Sequence, residues 1–158
     1  MILTIATGIA AYFFMEFVAW SNHKYVMHGF LWKWHKDHHV NDHKKQLNEI
    51  GRKKASEKND RFFVVYALPA IVLFMVGLEL QIYPLVSAAV GITAYGFTYF
   101  MIHDVIIHER LNIPFLRNSK NPYIRAIISA HLAHHRPKSA NDFNNYGLLI
   151  FSKKYFNN

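Results

Sequence analysis

Ten of the eleven histidines in this chain fall into four groups: His23 and His28; His35, His38 and His39; His103 and His108; His131, His134 and His135. Each half of the chain therefore carries an HxxxxH followed by an HxxHH, a quasi-repeat that core packing has no reason to produce. At about 100° per helical residue, His35 stands about 60° from His38 and about 40° from His39, so one turn offers three imidazoles. The same holds for His131, His134 and His135. Across an HxxxxH the rotation is about 140°, so either the helix deforms there or the two rings serve different metals. A lone histidine is more often a core or surface residue than a ligand. Ten together without a cation leave polar nitrogens unsatisfied if neutral, and crowd like charges if protonated. A divalent metal removes both problems, since neutral imidazole is the commonest metal ligand. His43, beside Asp42, Lys44 and Lys45, fits neither pattern and is read as solvent-exposed.

The chain has no cysteine, which excludes disulfides, thiolate zinc and cysteine-held iron–sulfur clusters. Imidazole suits zinc, copper, iron and nickel alike. Ten nitrogens exceed the needs of one ion, so two metals with open positions are the economical reading, and paired redox-active iron handles oxygen as zinc cannot. Ligating histidines usually donate their second ring nitrogen to a carboxylate or carbonyl. Asp37 and Asp104 lie within or beside the groups, and Asn141 and Asp142 follow the last one, where they serve equally well as turn formers. Glu16 precedes His23 by seven residues, about 20° around a helix. It is a functional candidate as an intramembrane carboxylate, or a residue reaching water at the headgroups. Glu79 is read as interfacial. Phe97, Tyr99 and Phe100, just before His103, are candidates to line a substrate pocket, with plain packing as the alternative.

The elements that must position these residues follow from hydropathy. Met1 to Trp20 contains one charged residue, Glu16, and about 20 apolar residues match the roughly 30 Å hydrocarbon core. With no basic residue ahead of the run and no small-residue cleavage site, it reads as a retained span and not a signal peptide. Phe62 to Ile102 holds one charge, Glu79. As one helix that stretch is about 60 Å long, so it must fold back near Gln81, Tyr83 and Pro84. The chain is thus expected to be an all-α, integral membrane, single-domain protein over residues 1–158, with spans at about 1–22, 62–80 and 85–103. The apolar run Ile124 to Ala130 is too short to cross, and a fourth helix there is expected to be short or re-entrant. A soluble helical bundle shares the apolar runs but not the charge asymmetry. All 18 basic residues lie in 24–61 and 109–158, which by the positive-inside rule are cytoplasmic, with the N-terminus outside. The histidines then form a cytoplasmic helical cap, with Trp20, Trp32 and Trp34 as interface aromatics. A formal charge of +8 so distributed points to anionic headgroups or an acidic protein, and not to nucleic acid.

His23-Lys-Tyr-Val-Met-His28-Gly-Phe with Trp34-His35-Lys-Asp-His38-His39, then His103-Asp-Val-Ile-Ile-His108 and Ala130-His131-Leu-Ala-His134-His135, resemble the four histidine boxes of the fatty acid hydroxylase superfamily of membrane di-iron enzymes. The likeness is strongest to its bacterial carotenoid-hydroxylating branch, which Tyr146-Gly-Leu-Leu also matches. The resemblance covers nearly the whole chain. It implies that the ten boxed histidines bind two non-haem irons, that O2 is the oxidant, and that a ferredoxin-type partner supplies electrons. It further implies a multi-pass inner (cytoplasmic) membrane enzyme that hydroxylates C3 of a β-ionone ring, taking β-carotene through cryptoxanthin to zeaxanthin. Val105 and Ile106 stand where that branch is expected to carry a smaller, glycine-containing pair. The nearest rival is a fatty acid or sterol hydroxylase or desaturase with the same metal centre. A metal transporter should place its ligands near the bilayer midplane, and a haem carrier needs two axial histidines per haem.

Overall fold

The computed structural model describes residues 1–47, 57–111, 113, 119–139 and 143–157. The side chain of His43, and residues Asn141 and Asp142, lie outside that description. Among the described residues every regular element is helical: α1 (Ile2–Ser21), α2 (Trp32–Leu47), α3 (Phe62–Glu79), α4 (Tyr83–Tyr99) and α5 (Pro122–His135). Two segments, Asn22–Phe30 after α1 and Phe100–Ile107 after α4, continue their helices with the wider π turn. Three continuous helices are long and apolar enough to cross a membrane: Ile2–Phe30, Lys58–Glu79 and Tyr83–Ile107. In each, 17% of the most apolar window is buried within the protein, which a soluble bundle of core helices does not allow. Ile5, Ile9 and Phe13 on α1, Phe63, Leu68 and Ile71 on α3, and Val90 and Phe97 on α4 are exposed, as side chains facing lipid are.

The fold-back falls where the apolar run is interrupted. Gln81 takes φ 56°, Ile82 N–H donates to Gly77 C=O at 2.8 Å and Gln81 N–H to Leu78 C=O at 3.2 Å. This is the Schellman pattern that satisfies the last carbonyls of α3. Pro84 then occupies the first turn of α4, where its missing N–H costs nothing.

α4 packs against both α1 and α3. The α1–α4 seam runs from Gly8 against Ser87 and Gly91, through Tyr12 on Tyr95, to Glu16 on Tyr95. The numbers rise together, so the two helices are parallel, and their C-terminal extensions emerge at the same end of the bundle. Small residues permit the approach: a Cβ on Gly91 meets the Gly8 carbonyl oxygen. Short interhelical distances of this kind are how apolar helices associate without water to drive them.

Beyond the bundle, Gly29 leaves helical geometry (φ −99°, ψ −122°) and turns the chain into α2. α5 starts at Asn121, whose side chain accepts from the N–H groups of Tyr123 and Ile124, with Pro122 in its first turn. Its 14 residues span about 21 Å, short of the hydrocarbon thickness. Ala126, Ile127, Ala130, His131, His134 and His135 form its buried face.

Candidate metal centre

The HxxxxH pairs occupy the two π segments. A π turn bonds N–H to the carbonyl five residues back, seen here in Leu31 N–H to Val26 C=O and His108 N–H to His103 C=O, both 3.0 Å. That widening returns residue i+5 toward the face of residue i, and the ring centroids are 5.1 Å apart for His23 and His28 and 4.5 Å for His103 and His108. Of the two readings of this spacing, the helix deforms.

Nine histidines then assemble into two sets whose ligand nitrogens lie within 4.8 Å of one another: His23, His28, His35, His39 and His134 in the first, His38, His103, His108 and His131 in the second. Each half of the chain lends one ring to the other half's set, His38 in one direction and His134 in the other. His135 lies between the sets, its ring centroid 4.2 Å from His39, 4.6 Å from His131 and 4.8 Å from both His38 and His108. Every ring except His28 is buried.

The outer nitrogens are pinned. His23 Nδ1 is 2.9 Å from the Tyr146 carbonyl, His134 Nδ1 2.6 Å from the Asn144 carbonyl, His38 Nδ1 2.9 Å from Glu57 Oε2, and His35 Nδ1 2.7 Å from Asn59 Oδ1. Carbonyl and carboxylate oxygens only accept, so these Nδ1 atoms carry the protons and each Nε2 presents a lone pair. Yet His23 Nε2 faces His35 Nε2 at 3.0 Å, two lone pairs with no proton between them, and buried His38 Nε2 has no hydrogen-bond partner among the described residues. A cation resolves both, so the residues fit a metal. Burial holds the imidazoles neutral, as ligation requires: it lowers His35 to about 3, against the bond to Asn59, and His134 to about 4, against the bond to Asn144. His38, His131 and His135 are depressed by burial and then by neighbouring histidines.

The remaining candidates divide. Asp104 Oδ2 lies 3.5 Å from His103 Nδ1 and its other oxygen accepts from Arg110 at 3.1 Å. Asp37 instead accepts from the Lys58 N–H at 2.9 Å, tying α2 to the turn that carries Glu57 and Asn59. Glu16 is buried, accepting from Tyr95 O–H at 2.6 Å and from the N–H groups of Leu148, Leu149 and Ile150. Asn141 lies outside the described residues. Tyr99 stacks on His103 at 4.6 Å, whereas Phe97 and Phe100 are exposed on the outside of the bundle. Trp32, expected as an interface aromatic, has its ring 5.1 Å from His28 and 5.6 Å from His39. Sequence reasoning missed Glu57, Asn59 and Arg110, the last of which donates to Glu57 at 3.1 Å and Asp60 at 2.6 Å. The one signal for Glu57 and Asn59 was a cluster of carboxylates and amide in Glu57-Lys-Asn-Asp60, immediately ahead of an apolar span.

Three helices long and apolar enough to cross a membrane, with α2 and α5 beyond them completing two sets that total nine imidazoles, define a helical membrane protein with histidine clusters able to hold metal ions. The chain belongs to the fatty acid hydroxylase family, whose model matches residues 8–157. It is 36% identical over 135 residues to the beta-carotene hydroxylase of Pantoea ananas, covering 85% of this chain and 70% of that one. It is 35% identical to the beta-carotene hydroxylase of Pseudescherichia vulneris, over 89% and 72% of the two chains. A plant relative, the chloroplastic beta-carotene hydroxylase 2 of Capsicum annuum, is 33% identical over 96% of this chain and 46% of its own length. No solved structure matches.

Proposed function

We propose that this chain is an oxygen-dependent carotenoid 3-hydroxylase that acts on β-ionone rings, taking β-carotene through cryptoxanthin to zeaxanthin. The observation that carries the reading is the pair of buried histidine sets at the end of an apolar bundle, in a chain of this family whose relatives are beta-carotene hydroxylases. His23, His28, His35, His39 and His134 would hold one iron and His38, His103, His108 and His131 the other, with His135 placed to serve either. Two bound irons supply the activation of O2 that lets one oxygen atom enter an unactivated C–H bond while the other leaves as water, the two electrons coming from a ferredoxin-type donor.

The chain's own part is to position and to shield. Tyr146, Asn144, Glu57 and Asn59 hold their imidazoles as Nδ1–H tautomers, so no ring must turn or lose a proton before it ligates. Burial keeps water from the sets, and Tyr99 closes the second on the bundle side. We place the histidine end at the cytoplasmic face of the inner membrane, because the basic segments leave the bundle there. A long apolar substrate then reaches the sets laterally between helices, where a soluble one has no path.

The test is expression in a bacterium that accumulates β-carotene. Zeaxanthin is expected, and its loss is expected with His35→Ala and with His135→Ala. An unchanged pigment profile, with donor and oxygen present, overturns the carotenoid assignment, and hydroxylated fatty acid or sterol in its place selects the rival substrate class.

A further inference from the structure

Glu16 is a buried carboxylate in a helix long and apolar enough to cross a membrane, and among the described residues its hydrogen bonds go to no histidine but to four other donors. Its Oε1 accepts from three consecutive backbone N–H groups, Leu148 and Leu149 at 2.8 Å and Ile150 at 3.0 Å, and its Oε2 accepts from Tyr95 O–H at 2.6 Å. Gly147 lies so close that a Cβ there sits 2.8 Å from Oε1. Successive N–H groups converging on one oxygen form an anion nest, and here the anion is supplied by α1.

The segment so anchored meets the first histidine set through ring contacts and hydrogen bonds, and lies beside the second through apolar packing of Leu148 with Ile107 and Ile127. The Tyr146 carbonyl fixes His23 and the Asn144 carbonyl fixes His134. The Tyr146 ring contacts His23, His28 and His134, and the Phe143 ring contacts His28, His39 and His134. All four of these histidines belong to the first set. His134 is also the ring that this set borrows from the other half of the chain: α5 carries it there, and the Asn144 carbonyl orients it. α1 and the π segment that continues it therefore grip the segment twice, through Glu16 and through His23, seven residues further on.

We propose that Glu16 is a positioning residue for one metal site of the pair: its charge locks residues 147–150 so that the Asn144 and Tyr146 carbonyls orient His134 and His23. The proposal rests on the reading of the histidines as two metal-binding sets. Removing the carboxylate leaves three N–H groups and a phenol without their acceptor, and frees the segment that orients the two rings. Outer partners of ligating histidines are worth roughly 10- to 100-fold in metal affinity.

The experiment titrates Co2+ into the metal-stripped, detergent-solubilised full chain and reads the number and affinity of equivalents bound. Wild type should take up two equivalents. In Glu16→Ala one equivalent weakens about 10- to 100-fold while the other keeps its affinity, and Glu16→Gln, which retains an acceptor oxygen without the charge, falls between. Combined with His131→Ala, Glu16→Ala should abolish both tight equivalents; combined with His23→Ala it should leave one, as His23→Ala does alone. A purely structural role weakens both sites together, and that result, or two unchanged sites in both Glu16 variants, overturns the proposal. If Glu16→Ala does not fold, Glu16→Gln carries the same selective comparison. Wild type that binds fewer than two equivalents overturns the two-set reading itself, which separates that failure from a failure of Glu16.

Discussion

His38 sits on α2 between His35 and His39 in sequence, yet its ring centroid lies 4.3 Å from that of His108, in the set built by the other half of the chain. One turn of α2 thus serves both sets. The about 60° between His35 and His38, which puts them on a common face, is also enough angle to aim them at different neighbours.

Because of this division, His38→Ala and His39→Ala should not be equivalent. Each is expected to abolish hydroxylation, but His38→Ala should weaken the same metal equivalent as His131→Ala, and His39→Ala the same one as His23→Ala. Co2+ titration of each single variant and of the pairs is the check. Additive loss within His38/His131 would break the assignment.

Glu57 holds His38 Nδ1 and accepts from Arg110. Glu57→Ala should cost roughly 10- to 100-fold in affinity at the second set, leaving the first near its wild-type value. Glu57→Gln should recover part of the loss, since its oxygen still accepts from His38 but without charge. An effect confined to the first set, or none, contradicts the contact.

Acid should destabilise the metal-stripped protein. Burial lowers His35 to about 3 and His134 to about 4 in the folded chain, against about 6.5 when unfolded. Between these values the unfolded chain binds more protons, so this stability is fully present above about pH 6.5 and is lost as pH falls toward the folded values. Thermal unfolding midpoints at pH 7.5 and pH 5 should therefore drop on acidification, and a rise would refute the sign. Bound metal, which occupies the same lone pairs, should move the loss to lower pH.

At the α1–α4 seam, Gly91→Val should lower stability by about 1–3 kcal/mol, because the new Cβ meets the Gly8 backbone, which cannot swing aside. Gly96→Ala is the control: nothing lies within 4 Å of its added Cβ, so stability should hold or rise by up to about 1 kcal/mol. Unfolding midpoints in one detergent compare the two, and equal values would place the close approach elsewhere.

Much of this was legible in the residues. Run length and the one-sided placement of basic side chains located the three apolar helices and the fold-back at Gln81 to Pro84, because the hydrocarbon thickness and a proline's missing N–H act locally. The angular position of His35, His38 and His39 on one turn was likewise arithmetic. The partners of the outer nitrogens were not legible. Backbone carbonyls such as those of Asn144 and Tyr146 carry no residue type to announce them, and Glu57 looks in sequence like any other charge in a basic loop.

The sequence by itself determined that many imidazoles would be carried at one end of an apolar bundle, since helical period and hydropathy depend only on neighbouring residues. Only the tertiary structure decided that the HxxxxH turns widen to π geometry, that His38 and His134 trade places between halves, and that Glu16 serves the C-terminal segment instead of a histidine. Those outcomes depend on which helices run parallel and how closely they approach, as at Gly8 and Gly91. Contacts between residues more than a hundred positions apart, such as Glu16 with Leu148, exist only once the chain has packed.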